Sequence, residues 1–189
     1  MEGENLERVA NGVYTRMLGE RLESLMENEF KRRYRIYYDH KVTNPDRILA
    51  QVGKGNQTED MAHLDVAIVD TGDNRERLLV VSEIEEHKHA PKRLLGDVAA
   101  IMMSEKVKID GRDHPLANAD IVLGVVTKKG GQTGPKATKY ITRFELAMGE
   151  GPGGRRGLRC FLFYAEDGNQ LVDKIEEFVA SLLRERPAN

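Results

Sequence analysis

The stretch HLDVAIVDTGDNRERLLVVSEIEE, residues 63–86, decides how this chain is read. Two runs of strand-forming residues, His63 to Asp70 and Arg77 to Glu86, flank the turn-forming TGDNRE, the pattern of an antiparallel hairpin. A turn tip near Asn74 sets Asp65 opposite Glu83, with Cβ atoms about 4.5–5.5 Å apart. Glu85, two residues beyond Glu83, leaves the strand on the same face. Three carboxylates are therefore expected to converge among the apolar Val66, Ile68, Val80, Val81 and Ile84. Like charges that close persist only with a shared proton or an intervening cation. Oxygen-only ligands favour a hard ion, Mg²⁺ or Mn²⁺. A one-residue slip in register would instead leave the acids on a solvated face.

Working outward, Ala90-Pro91 ends the second strand, and Leu94, Leu95, Val98, Ile101 and Met102 predict a helix over 91–105. The remainder reads as strand 120–127, helix 136–148, strand 158–164 and helix 169–185. On the other side, Leu6 to Met26 carry apolar residues at three- and four-residue steps, an amphipathic helix over 4–29 whose stripe drifts after Gly19. Tyr34, Ile36 and Tyr38 then alternate as a strand. Asn44-Pro45 predicts a helical turn over 46–51, and 53–60 a polar loop. A three-strand meander followed by two strand–helix–strand crossovers is an α/β fold: a mixed sheet, antiparallel then parallel, flanked by helices. No linker or repeat divides residues 1–189, so a single domain is expected.

With 29 Lys+Arg against 31 Asp+Glu, the formal net charge is −2, and any nucleic-acid role must rest on local clusters. One cysteine excludes an internal disulfide, and the start MEGENLERVANG lacks a signal peptide's basic flank and apolar run. No run approaches the roughly 18 apolar residues of a membrane span. A cytoplasmic protein with no membrane partner is expected.

The order of elements gives a family resemblance. A helix bearing a Glu, a strand, a second strand opening with Asp65, a third ending Glu83-Ile84-Glu85, and a helix with Lys92 and Asp97 resembles the PD-(D/E)xK nucleases of the restriction-endonuclease-like fold. The resemblance implies that Asp65 and Glu83 ligate metal, joined by Glu85, which stands where the family usually has Lys. Some restriction enzymes resemble this chain in having Glu there. It also implies an additional acid from the first helix, Glu23 by its similarity in placement to archaeal Holliday-junction resolvases, with Glu20 and Glu29 as alternatives. The implied activity is metal-assisted hydrolysis of phosphodiesters in DNA, helped by Lys88, Lys92 and Arg93. Cutting both strands would favour a homodimer. A non-catalytic nucleic-acid-binding or assembly module on the same fold is the alternative, with Glu85 replacing the catalytic Lys.

Three basic segments are candidates for DNA contact: Lys31, Arg32 and Arg33 with Arg35; Lys128, Lys129 and Lys136 in a Gly-rich loop; and Arg155 and Arg156 with Arg159. Each could equally be a solvated face. The loop 128–139 lacks phosphate-loop spacing, since Pro135 separates Gly134 from Lys136. His87 and His89, with His63 and the acids, offer a weaker zinc or iron alternative. Cys160, inside LRCFLFY, reads as core.

Overall fold

A computed structural model of the chain describes residues 12–54, 57–72, 76–86, 90–126 and 159–186, with backbone alone over 90–95. In chain order these form α1 (Val13–Asn28), β1 (Tyr34–Tyr38), β2 (Ile48–Val52), β3 (Glu59–His63), β4 (Val66–Asp70) and β5 (Arg77–Glu85). There follow α2 (Ala90–Met103), β6 (Lys106–Ile109), β7 (Arg112–Pro115), β8 (Asp120–Val126), β9 (Arg159–Ala165) and α3 (Gly168–Arg184). The expected helix 136–148 lies outside the described residues.

The strands build two sheets. The larger runs β1-β4-β5-β8-β9, antiparallel from β1 to β5 and parallel from β5 to β9; the smaller, β3-β2-β6-β7, is antiparallel throughout. The mixed α/β architecture and the meander in the larger sheet match the sequence reading. The β4/β5 register pairs Val66 with Ser82, Ala67 with Val81 and Ile68 with Val80, then shifts by one residue toward the turn. The regular pairing ends at Val66 with Ser82, one residue short of Asp65.

Both faces of the larger sheet are covered, which is why its strands read as nearly unbroken apolar runs. On one face Val66, Ile68, Val80, Ile84 and Val122 pack with Leu18, Leu22 and Met26 of α1 and Leu171, Ile175 and Val179 of α3. On the other, Ala67, Val69, Val81 and Ile121 meet Val98 and Ile101 of α2 and the inward residues Ile48, Ala50, Val107 and Ile109 of the smaller sheet. Gly19 explains the drift in the α1 stripe: a Cβ there would run into the Tyr38 ring, so the helix lies directly on that ring and stays unbroken from Val13 to Asn28.

The smaller sheet overturns three sequence expectations. Residues 46–51 form no helical turn; Asp46 bends back to accept the Tyr38 amide at 2.8 Å, and Ile48–Val52 becomes strand β2 because Ile48 and Ala50 face the core. The single strand expected over 63–70 is two, with Glu59 and Asp60 already in β3 and the chain changing sheets at Leu64. A hairpin over Lys106–Pro115 appears where none was expected. Its two-residue loop, Asp110-Gly111, has φ of 47° and 87°, the left-handed pair that an Asp-Gly hairpin turn requires. Among the described residues, no helix is long and apolar enough to cross a membrane.

Candidate functional site

The parallel strands β5, β8 and β9 end together at Glu85, Val126 and Ala165, and β4, running the other way, begins at the same edge. Ligands in open α/β sheets are bound outside such carboxyl ends. Asp65 sits there because the chain changes sheets beside it. Its backbone still belongs to the larger sheet, the amide donating to Ser82 O and the carbonyl accepting from Asp39 N, both at 3.1 Å. One residue earlier, Leu64 N has turned away to Ile48 O of the smaller sheet. The Ile84 amide, which would face residue 64 in a continued ladder, instead donates to Asp65 Oδ2 at 2.6 Å.

Asp39 follows the end of β1 and lies beside Asp65, with His40 Nε2 3.2 Å from Asp39 Oδ1. Ligand atoms of Asp39, His40 and Asp65 all fall within 4.8 Å of one another, and all three residues are half-buried. Burial, and then the charge of Asp39, push the Asp65 carboxyl up to about 7, against the opposing pull of the Ile84 amide, His40 and the Thr15 side chain. The pair of carboxyls is thus short of positive charge. Carboxylates beside an imidazole fit a divalent cation such as Mn²⁺, and the two carboxylates alone fit Mg²⁺.

Glu86 shapes the same edge. Gly12 precedes α1 with φ 80° and gives it no side-chain cap; the Tyr14 amide donates instead to Glu86 Oε1 at 2.9 Å. A carboxylate at the helix's positive end is favourable. Glu86→Ala is expected to lower stability by about 1 kcal/mol, a fall in Tm of about 2–4 °C for a chain this size, measured by thermal melting.

The residues expected from sequence fall into three groups. Asp65, Glu83 and Glu85 lie at this edge, with Glu83 half-buried and Glu85 5% exposed. By strand alternation Glu83 and Glu85 share the face of Val81, opposite that of Ile84. They are not members of the group that closes around Asp65, whose neighbours are Asp39 and His40. Glu23 is placed elsewhere. It accepts from Tyr38 Oη at 3.3 Å and pairs with Lys41 at 3.4 Å, whereas the α1 residue that meets Asp65 is Thr15, eight positions and about 12 Å earlier along the helix. Glu20 is exposed beside Arg16 and Glu29 binds Arg184, so neither alternative reaches Asp65.

Among the basic residues, Lys31, Arg32 and Arg33 precede β1 at its far end, where Tyr34 pairs with Asp70, about 14 Å of strand from the Asp65 edge. Arg33 binds Asp70 at 3.0 Å, Arg32 binds Glu27 at 3.1 Å and Arg35 approaches Glu76 at 3.7 Å, so this cluster serves acids of its own neighbourhood and does not border the edge. Arg159 is held by Asp120 at the opposite ends of β8 and β9. Lys92 lies in the first turn of α2, its side chain outside the described residues. Lys88, His87, His89, Lys128, Lys129, Lys136, Arg155 and Arg156 also lie outside them. Cys160 packs against the core as expected, and burial pushes its thiol up to about 12.

The sequence reading missed Asp39, His40, Thr15 and Glu86. Their one local signal is YYDHK, an acid and a histidine just past a strand end. It gains meaning only once β1 is known to pair with β4. No family model, curated protein or solved structure matches this chain.

Proposed function

We propose that this chain is a divalent-metal-dependent nuclease of the restriction-endonuclease-like fold, hydrolysing phosphodiester bonds in DNA at the edge marked by Asp65, Glu83 and Glu85. The observation that carries the reading is the Asp65 carboxyl, held next to Asp39 at the carboxyl ends of parallel strands and driven up to about 7. A group in that position gains most from a nearby dication. A bound Mg²⁺ or Mn²⁺ would polarise a phosphate oxygen and supply hydroxide at neutral pH.

The chain's own residues would prepare that chemistry. Ile84 N–H fixes one oxygen of Asp65, Asp39 adds a second carboxylate and His40 an imidazole, while Glu83 and Glu85 stand at the same edge outside that group. Glu85 supplies no positive charge where the resembling family has Lys, so Lys88 and Lys92, next along the chain, are the residues that would offset charge on the phosphate.

The test is cleavage of labelled linear, single-stranded and branched DNAs with Mg²⁺ or Mn²⁺, wild type beside Glu83→Ala. Metal-dependent cutting is expected, reduced at least about a hundred-fold in the variant. No cutting of any substrate, together with salt-sensitive binding that is indifferent to Glu83, would overturn catalysis in favour of the non-catalytic binding module. In that case the carboxylate of Asp65 would serve only to pair the Ile84 amide at the divergence of the two sheets.

A further inference from the structure

Adjacent side chains of a strand point to opposite faces, so an Asp-His pair does not ordinarily converge on one ligand. Here β1 ends at Tyr38 and the chain turns at Asp39 and His40. The turn is fixed from both sides. Asp46 N donates to Tyr38 O at 3.2 Å and the Asp46 carboxylate accepts the Tyr38 amide, while Asp39 N donates to Asp65 O. Lys41, the next residue, is drawn to Asp46 at 2.8 Å and to Glu23 at 3.4 Å. The turn thus presents one carboxylate and one imidazole to Asp65.

The start of α1 supports both sides of this group. Thr15, 1% exposed, hydrogen-bonds the Asp65 carboxyl through its side chain. Three residues earlier, Gly12 lies directly against the His40 ring, and a Cβ at Gly12 would fall within that ring. Gly12 is therefore what makes room for the imidazole. Two ligand atoms on one metal, each about 2.1 Å from it, stand about 3 Å apart. His40 Nε2 and Asp39 Oδ1 are already 3.2 Å apart, and the two side chains keep 29% and 32% exposure, so an ion can enter from solvent.

We propose that the metal taken up at this edge is a first-row transition-metal dication, held by Asp39, His40 and Asp65 in preference to Mg²⁺, and that Gly12 is the positioning residue that admits the His40 imidazole. This rests on the metal-dependent reading and adds to it the class of ion. Mg²⁺ prefers oxygen ligands and gives up its waters reluctantly, so an imidazole nitrogen in the donor set favours a transition metal over it.

The experiment uses the full chain and metal alone, without DNA, so that its result does not depend on cleavage. Mn²⁺ is titrated at neutral pH and followed by electron paramagnetic resonance, with Mg²⁺ as competitor. One Mn²⁺ per chain is expected, showing spin-echo modulation from a directly bound nitrogen and staying in place against about a hundred-fold excess of Mg²⁺. His40→Ala should remove the nitrogen signal, weaken Mn²⁺ at least about ten-fold and let Mg²⁺ compete. Gly12→Ala should also weaken Mn²⁺ and lose the nitrogen signal, yet change nothing further in the His40→Ala background; a glycine needed only to start the helix would weaken both backgrounds alike. Mn²⁺ bound without nitrogen, or displaced by Mg²⁺ as readily from wild type as from His40→Ala, would overturn the proposal and leave the nuclease reading standing on oxygen ligands. A nitrogen-bound Mn²⁺ in a protein that cuts no DNA would uphold the proposal and strike the nuclease reading alone. No bound dication of either kind would overturn both.

Discussion

Asp65→Asn is expected to abolish metal-dependent cleavage, by more than about a hundred-fold, while making the metal-free protein more stable above neutrality. The sign follows from the direction of the pKa. In the unfolded chain this carboxyl titrates near its ordinary value of 3.8; in the fold, burial and Asp39 raise it to about 7. The native state therefore keeps a proton that the unfolded state releases between those values. This stabilisation is full below about pH 4 and is lost as pH rises to 7, by at most about 4 kcal/mol.

Asn carries no charge at any pH, accepts from the Ile84 amide through its own oxygen, and offers an N–H toward Asp39. Thermal melts in EDTA should show wild type losing several degrees from pH 5 to pH 8, with the variant nearly flat and the more stable of the two at pH 8. Added Mn²⁺ should raise the Tm of wild type and not of the variant. A wild-type Tm indifferent to pH over that range, with the variant weaker throughout, would show Asp65 to be an ordinary ionised cap and would remove the main support for the metal reading.

Gly19→Val carries the largest structural effect expected. Exchanging glycine for another residue inside an exposed helix usually helps by up to about 1 kcal/mol. Here the new side chain would have to displace the Tyr38 ring, which is itself 5% exposed, packed with the α1/α3 core and hydrogen-bonded to Glu23. Overpacking of this kind costs about 3 kcal/mol, a fall in Tm of about 6–12 °C. The partner responsible is checked by a double-mutant cycle. In the background of Tyr38→Ala, which vacates the ring's space, Gly19→Val should lose most of its penalty. An undiminished penalty there would place the clash elsewhere.

Much of this architecture was legible because its signals are local. The helical spacing of Leu18, Leu22 and Met26, the alternation of Tyr34, Ile36 and Tyr38, and the turn TGDNRE sufficed for α1, β1 and the β4/β5 register as far as Val66. The Asp110-Gly111 turn was equally local and was overlooked; its left-handed pair of residues is a hairpin signal in its own right. The helix acid was misjudged for a different reason. Glu20, Glu23 and Glu29 are indistinguishable by periodicity, and the end of α1 that faces Asp65 carries Thr15.

The sequence by itself determined the helix or strand character of α1, β1, β4, β5, α2, β8, β9 and α3, because backbone geometry repeats every 3.6 or 2 residues and apolar side chains mark that period. Only the tertiary structure decided that residues 59–70 divide between two sheets, that Asp39 comes beside Asp65, and that Glu86 caps a helix 72 positions away in sequence. Each of those depends on which strands pair across long separations, and the pairing is set by the packing of both sheets around shared cores. The raised Asp65 carboxyl exists only after that packing, since desolvation and a neighbouring charge arise where distant segments meet.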